Sequence, residues 1–198
     1  MRYVALGDSY TIGTSVRPAE RWPDRLVRAL GPTEPTLELV ANLAVNGYTS
    51  ADLIRAELPA VARLDPGFAT VLIGVNDVVR RVSLDTYGAN VATILNTLLG
   101  QLAPDRIVTV ATPDYTVTPA GADYGDPASR HDDIVAVNGA LARLAAERRI
   151  AFVDTFDISL GAAADRALIA TDGLHPSGAQ YARWVERILP VVAERIGR

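Results

Sequence analysis

The chain has 198 residues, 49% of them hydrophobic, enough to fill one core without disulfides or metals. It has no cysteine, which excludes thiol nucleophiles and zinc–thiolate centres, and all 19 basic residues are arginine, which excludes Schiff-base lysines and the lysine of a Walker A loop. A formal net charge of −4 with mixed signs offers no basic patch for nucleic acid and no polybasic stretch for a membrane.

The opening apolar stretch, Tyr3-Val4-Ala5-Leu6, is too short for the core of a signal peptide, and no apolar run is long enough to span a bilayer. As written, the chain is expected in the cytoplasm unless a leader has been removed. Short Val-, Ile- and Leu-rich runs at 3–6, 37–40, 68–73, 107–111 and 150–153 read as buried strands. Stretches with helical spacing at 22–30, 50–64, 84–102, 133–148 and 177–196 lie between and after them. Trp22 and Trp184 fall on these helices as packing residues.

Strands alternating with helices need right-handed crossovers, so one domain over 1–198 is expected, with a flavodoxin-like three-layer αβα fold around a five-stranded parallel sheet. Ligands in such sheets bind beyond the carboxyl ends of the strands. The long irregular segment 112–132 emerges on that rim, which makes Tyr115 a candidate substrate contact and Tyr124 a second aromatic near it.

The same rule brings chemistry to the rim. Gly7-Asp8-Ser9-Tyr10 follows the first strand, and a serine there becomes a nucleophile only if a base takes its proton. Of the two histidines, His175 lies in Asp172-Gly173-Leu174-His175-Pro176, with Pro176 expected as the first residue of the last helix. Asp172, three residues earlier, can fold back through Gly173 and hold the far ring nitrogen. Gly74-Val75-Asn76-Asp77 follows the third strand and offers the Asn76 amide to a developing oxyanion, with the Ser9 N–H beside it. The stretch Asn42 to Gly47 adds a glycine whose N–H can approach a substrate unhindered. Asp8 is given a structural role in the nucleophile turn. His131-Asp132-Asp133 has the composition of a metal site, but the aspartates read better as a helix N-cap, and no metal is expected.

These four blocks in order resemble the SGNH hydrolases, the GDSL-type esterases and lipases. The resemblance covers nearly the whole chain, with Tyr10 standing where leucine is common. It implies Ser9 as nucleophile, Asp172 and His175 completing a triad, Ser9, Gly47 and Asn76 as oxyanion donors, and no cofactor. The expected substrate is a small-molecule ester, with short acyl groups favoured because Asp114, Thr116, Thr118, Asp123 and Asp126 are poor material for an apolar groove. A different reading is a flavodoxin-like module whose loop Ser9-Tyr10-Thr11-Ile12-Gly13-Thr14 cradles the phosphate of FMN. That reading gives no role to Asp172 and His175 together.

Overall fold

The computed structural model describes residues 1–32 and 36–197. The strands β1 (Arg2–Gly7), β2 (Glu38–Asn42), β3 (Phe68–Leu72), β4 (Ile107–Val110) and β5 (Ala151–Val153) form one sheet in the order β2-β1-β3-β4-β5. Every pairing is parallel, with Tyr3 opposite Phe68 and Ala69 opposite Ile107. The order reverses between β1 and β3, so the crevice at a topological switch point opens where these two strands end.

In chain order the helices are α1 (Ser9–Ile12), α2 (Trp22–Leu30), α3 (Ser50–Asp52), α4 (Leu58–Leu64), α5 (Val75–Val79), α6 (Leu84–Leu99), α7 (Pro127–Glu147), α8 (Phe156–Leu160) and α9 (Gly178–Ile196). On one side of the sheet α2 packs on α9, and elsewhere α6 packs on α7. The buried residues of α9, including Tyr181, Trp184, Val185, Ile188, Val192 and Ile196, recur at three- and four-residue spacing, the stripe that turns a helix onto a core. Trp22 and Trp184 are both fully buried. Where the buried strands carry polar groups they are paired, as in the 2.7 Å bond between the Tyr3 hydroxyl and Thr70.

Three expectations are corrected. The helix expected at 133–148 starts at Pro127, because Asp126 caps it by accepting from the Ser129 N–H at 2.9 Å. The irregular segment therefore stops before residue 127, and Asp132 and Asp133 lie inside the helix instead of capping it. Pro176 does not open α9 either: it bridges Ile169, and Ser177 is the cap. The stretch 50–64 is helical throughout but contains a π-helical turn, Leu53–Glu57, just before Pro59, which has no N–H to continue the regular ladder.

Among the described residues no helix is long and apolar enough to cross a membrane.

Candidate active site

Gly7 ends β1 with φ +150°, and a Cβ there would stand 2.2 Å from the Leu72 carbonyl oxygen, so only glycine lets the chain leave the sheet at this point. Asp8 then caps α1, accepting from the Tyr10 N–H at 3.0 Å, and Ser9 is the first residue of that short helix. The Ser9 N–H is thereby one of the helix-start donors with no intrahelical partner. The stretch suggested as a phosphate cradle is this helical turn, with Tyr10 and Thr11 buried.

Burial and the nearby charge of Asp77 push the Asp8 carboxyl up to about 7, against the opposing Tyr10 N–H. Below it Glu57, brought in by the π-helical turn, accepts from the Gly7 N–H at 2.9 Å. Burial, with Asp8 adding to it, pushes the Glu57 carboxyl up to about 9. A helical glutamate reads as solvent-facing in sequence, so nothing in the letters marks this buried acid under the Ser9 turn.

At the far end of the chain, Gly173 with φ +75° turns the backbone so that Asp172 Oδ2 meets His175 Nδ1 at 2.6 Å. Asp172 Oδ1 accepts from the Leu174 and His175 N–H groups at 2.9 and 3.0 Å, and Ser15 Oγ donates to Oδ2 at 2.6 Å. Burial favours the neutral carboxyl, but the bonds from Ser15, Leu174 and His175 outweigh it and hold Asp172 at about 2. Ser15 reaches Asp172 from a left-handed conformation, φ +65°, which is uncommon for a side-chain-bearing residue and is not visible in the sequence. The Tyr10 ring lies 5.1 Å from the His175 ring, so the departure at Tyr10 supplies a wall for the imidazole.

From the middle of the chain, α5 presents Asn76, whose Nδ2 donates to the Tyr48 carbonyl at 3.0 Å and makes a long 3.4 Å contact with Asp8 Oδ2. The weaker second contact leaves one amide hydrogen open to a stronger acceptor. Asp77 ties the helices together, accepting from the Ser50 N–H at 2.8 Å and from its hydroxyl at 2.5 Å. Gly47 has φ +81° in a turn over residues 45–48.

A cavity of about 230 Å³ joins these groups: Ser9, Gly47, Asn76 and His175 all line it. Leu174, Val75 and Val79 supply apolar wall, and Tyr115 and Tyr124 stand in it with ring centroids 6.0 Å apart. Tyr115 is buried, whereas Tyr124 is 42% exposed. All six site residues expected from the sequence are thus on or behind one cavity, Asp172 being the one behind, at the back of His175.

His131 is elsewhere: its Nδ1 pairs with the buried Asp114 at 2.6 Å, which also accepts from the Thr116 N–H and hydroxyl. Among the described residues no group of three or more His, Asp or Glu side chains is placed to hold a metal ion.

A parallel αβα sheet with polar groups gathered beyond β1 and β3 defines a class, the three-layer α/β proteins that bind at a strand-end switch point. Within that class the chain belongs to the GDSL-like lipase/acylhydrolase family, whose model matches residues 5–183, and this makes it an ester-hydrolysing serine hydrolase. In fold it is similar to the solved structure of TesA, with a TM-score of 0.74 and 20% identity over 98% of this chain and 99% of that one. It is also similar to Axe2, an acetylxylan esterase from Geobacillus stearothermophilus, with a TM-score of 0.70 and 21% identity over 100% of this chain and 94% of that one. A variant of the same esterase gives 0.73 and 21% over 96% and 94%. A comparison with curated proteins found no match.

Proposed function

We propose that Ser9 is the nucleophile of this ester hydrolase, His175 its general base and Asp172 the group that orients the imidazole. The observation that carries this reading is the 2.6 Å Asp172–His175 pair, fixed by three further hydrogen bonds to the carboxylate, on the same cavity as a serine and an amide donor. With Nδ1 engaged by Asp172, Nε2 is the nitrogen left to take the Ser9 proton. The Ser9 Oγ–acyl carbon bond forms, and the carbonyl oxygen becomes an oxyanion received by the Ser9 and Gly47 N–H groups and the Asn76 amide. His175 passes the proton to the departing alkoxide. A water then gives its proton to His175 and its oxygen to the acyl carbon, and Ser9 leaves reprotonated.

The substrate favoured by this cavity is a small-molecule ester with a short acyl group. At about 230 Å³ it is smaller than the about 300–1,000 Å³ of pockets for drug-sized ligands, which favours a short acyl group. Tyr115, on its wall, is the proposed substrate contact. A fluorophosphonate is expected to label one serine and to fail on Ser9→Ala. Across p-nitrophenyl esters from acetate upward, kcat/KM is expected to peak at the short end. Labelling that survives in Ser9→Ala overturns the nucleophile, and an optimum at long chains overturns the size assignment.

A further inference from the structure

Of the three oxyanion donors, Gly47 is the one whose position is least secured by its own chemistry, since glycine enters left- and right-handed φ with equal ease. The turn that holds it is closed by the Tyr48 N–H donating to the Val45 carbonyl at 3.2 Å, with Gly47 third of four. Glycine at φ +81° in that place is the mark of a type II turn. The Gly47 N–H and the Gly47 carbonyl are joined through only that residue's two soft dihedrals, so fixing the carbonyl limits where the N–H can point.

The turn is gripped at entry and exit. At its entry the Val45 N–H donates to the Gly7 carbonyl at 3.3 Å, tying it to the end of β1. At its exit two side chains of one helical turn take consecutive carbonyls: Asn76 Nδ2 donates to Tyr48 O at 3.0 Å, and Arg80 Nη2 donates to Gly47 O at 2.8 Å. Arg80 follows Asn76 by four residues and its own N–H bonds the Asn76 carbonyl at 2.9 Å, so both point from the same face. The guanidinium is steered from behind by Asp52, 3.8 Å from Nη1. Asp52 is itself fixed by the Thr49 N–H and hydroxyl at 3.0 and 2.8 Å. Arg80 Nη2 stands 3.9 Å from where a Gly47 Cβ would be.

We propose that Arg80 is a positioning residue of the oxyanion hole, acting through Gly47. It does not touch the reacting atoms; it holds the carbonyl next to the donor peptide, so that the Gly47 N–H stays aimed into the cavity. The inference rests on the reading of Gly47 and Asn76 as oxyanion donors.

The test compares Arg80→Ala, Arg80→Gln and Asn76→Ala on one short-chain ester. Arg80→Ala is expected to lower kcat by at least about tenfold with KM and melting temperature unchanged, because the displaced donor is used only near the transition state. Its affinity for a trifluoromethyl ketone, which forms a tetrahedral oxyanion on the nucleophile, should fall in parallel. Millimolar guanidinium ion should restore part of the activity of Arg80→Ala and none of that of Asn76→Ala. If Arg80→Ala does not fold, Arg80→Gln, which keeps a donor and loses the fork and the charge, carries the same comparison. Wild-type kcat in the Arg80 variants beside a disabled Asn76→Ala overturns the role of Arg80 alone. Loss confined to KM or to melting temperature, with no rescue, does the same. Full activity in Asn76→Ala overturns the oxyanion reading and the Arg80 role with it.

Discussion

Asp172 receives four hydrogen bonds, two from backbone N–H groups, one from Ser15 and one from the His175 ring. Such a carboxylate stays charged far into acid and keeps the imidazole in a single tautomer. Asp172→Asn is therefore expected to leave the fold intact and lower kcat by about three to four orders of magnitude, read from steady-state rates beside a melting curve. Wild-type turnover in that variant would remove Asp172 from the site. Ser15 allows a finer separation, because its hydroxyl and its left-handed backbone have different costs. Ser15→Ala and Ser15→Gly should lose the same activity, while the glycine variant melts higher, since glycine accepts φ +65° without strain. Asn76→Ala should lower kcat by about a hundred- to a thousandfold, about 2.7–4 kcal/mol of transition-state stabilisation, with KM little changed. A change confined to KM would count against an oxyanion role.

Among the elements, the segment between β4 and α7 owes its shape to Asp114, whose buried carboxylate gathers Thr116 and His131 while its own N–H donates to the Ser159 hydroxyl. Asp114→Ala is expected to cost about 1.5–3 kcal/mol of stability and to free Tyr115, flattening the dependence of kcat/KM on acyl length. An unchanged length profile in a destabilised protein would take the segment out of substrate selection. The strand and helix pattern was legible in the letters because buried parallel strands read as unbroken apolar runs and surface helices as periodic ones. The helix start at Asp126 was not, since Asp126, Asp132 and Asp133 are equally good caps by composition and only the Ser129 bond distinguishes them. Ser9, Asn76 and His175 were legible because each follows a glycine-marked turn at a strand or loop end. Arg80, Ser15 and Glu57 were not, because an arginine after a helix, a serine in a loop and a glutamate on a helix face are ordinary surface residues until long-range contacts exist.

For the molecule as a whole, the acids beneath the Ser9 turn set a dependence of stability on pH. Glu57 titrates at about 9 in the folded protein against an ordinary 4.5, so between those values the folded state keeps a proton that the unfolded chain has released. Stability therefore falls as pH rises through that window, by at most about 1.4 kcal/mol per pH unit from this one group, and Asp8 adds in the same direction up to about 7. Glu57→Gln should flatten the fall in urea midpoint between pH 5 and 8. A slope identical to wild type would mean that Glu57 ionises freely.

The sheet order has a temporal consequence. Ser9 follows β1 and His175 precedes the last helix, so 166 sequence positions separate the proposed nucleophile from its proposed base. Such distant partners meet only after most of the sheet has formed, which makes folding slow relative to chains with local contacts. The two tryptophans stand on α2 and α9, helices that pack on each other, and both are fully buried in the folded protein. During refolding from urea, esterase activity and tryptophan emission should return with one rate constant. Emission that recovers well before activity would reveal a docked but catalytically immature intermediate, with the turn at Gly47 as the first place to look for the missing step.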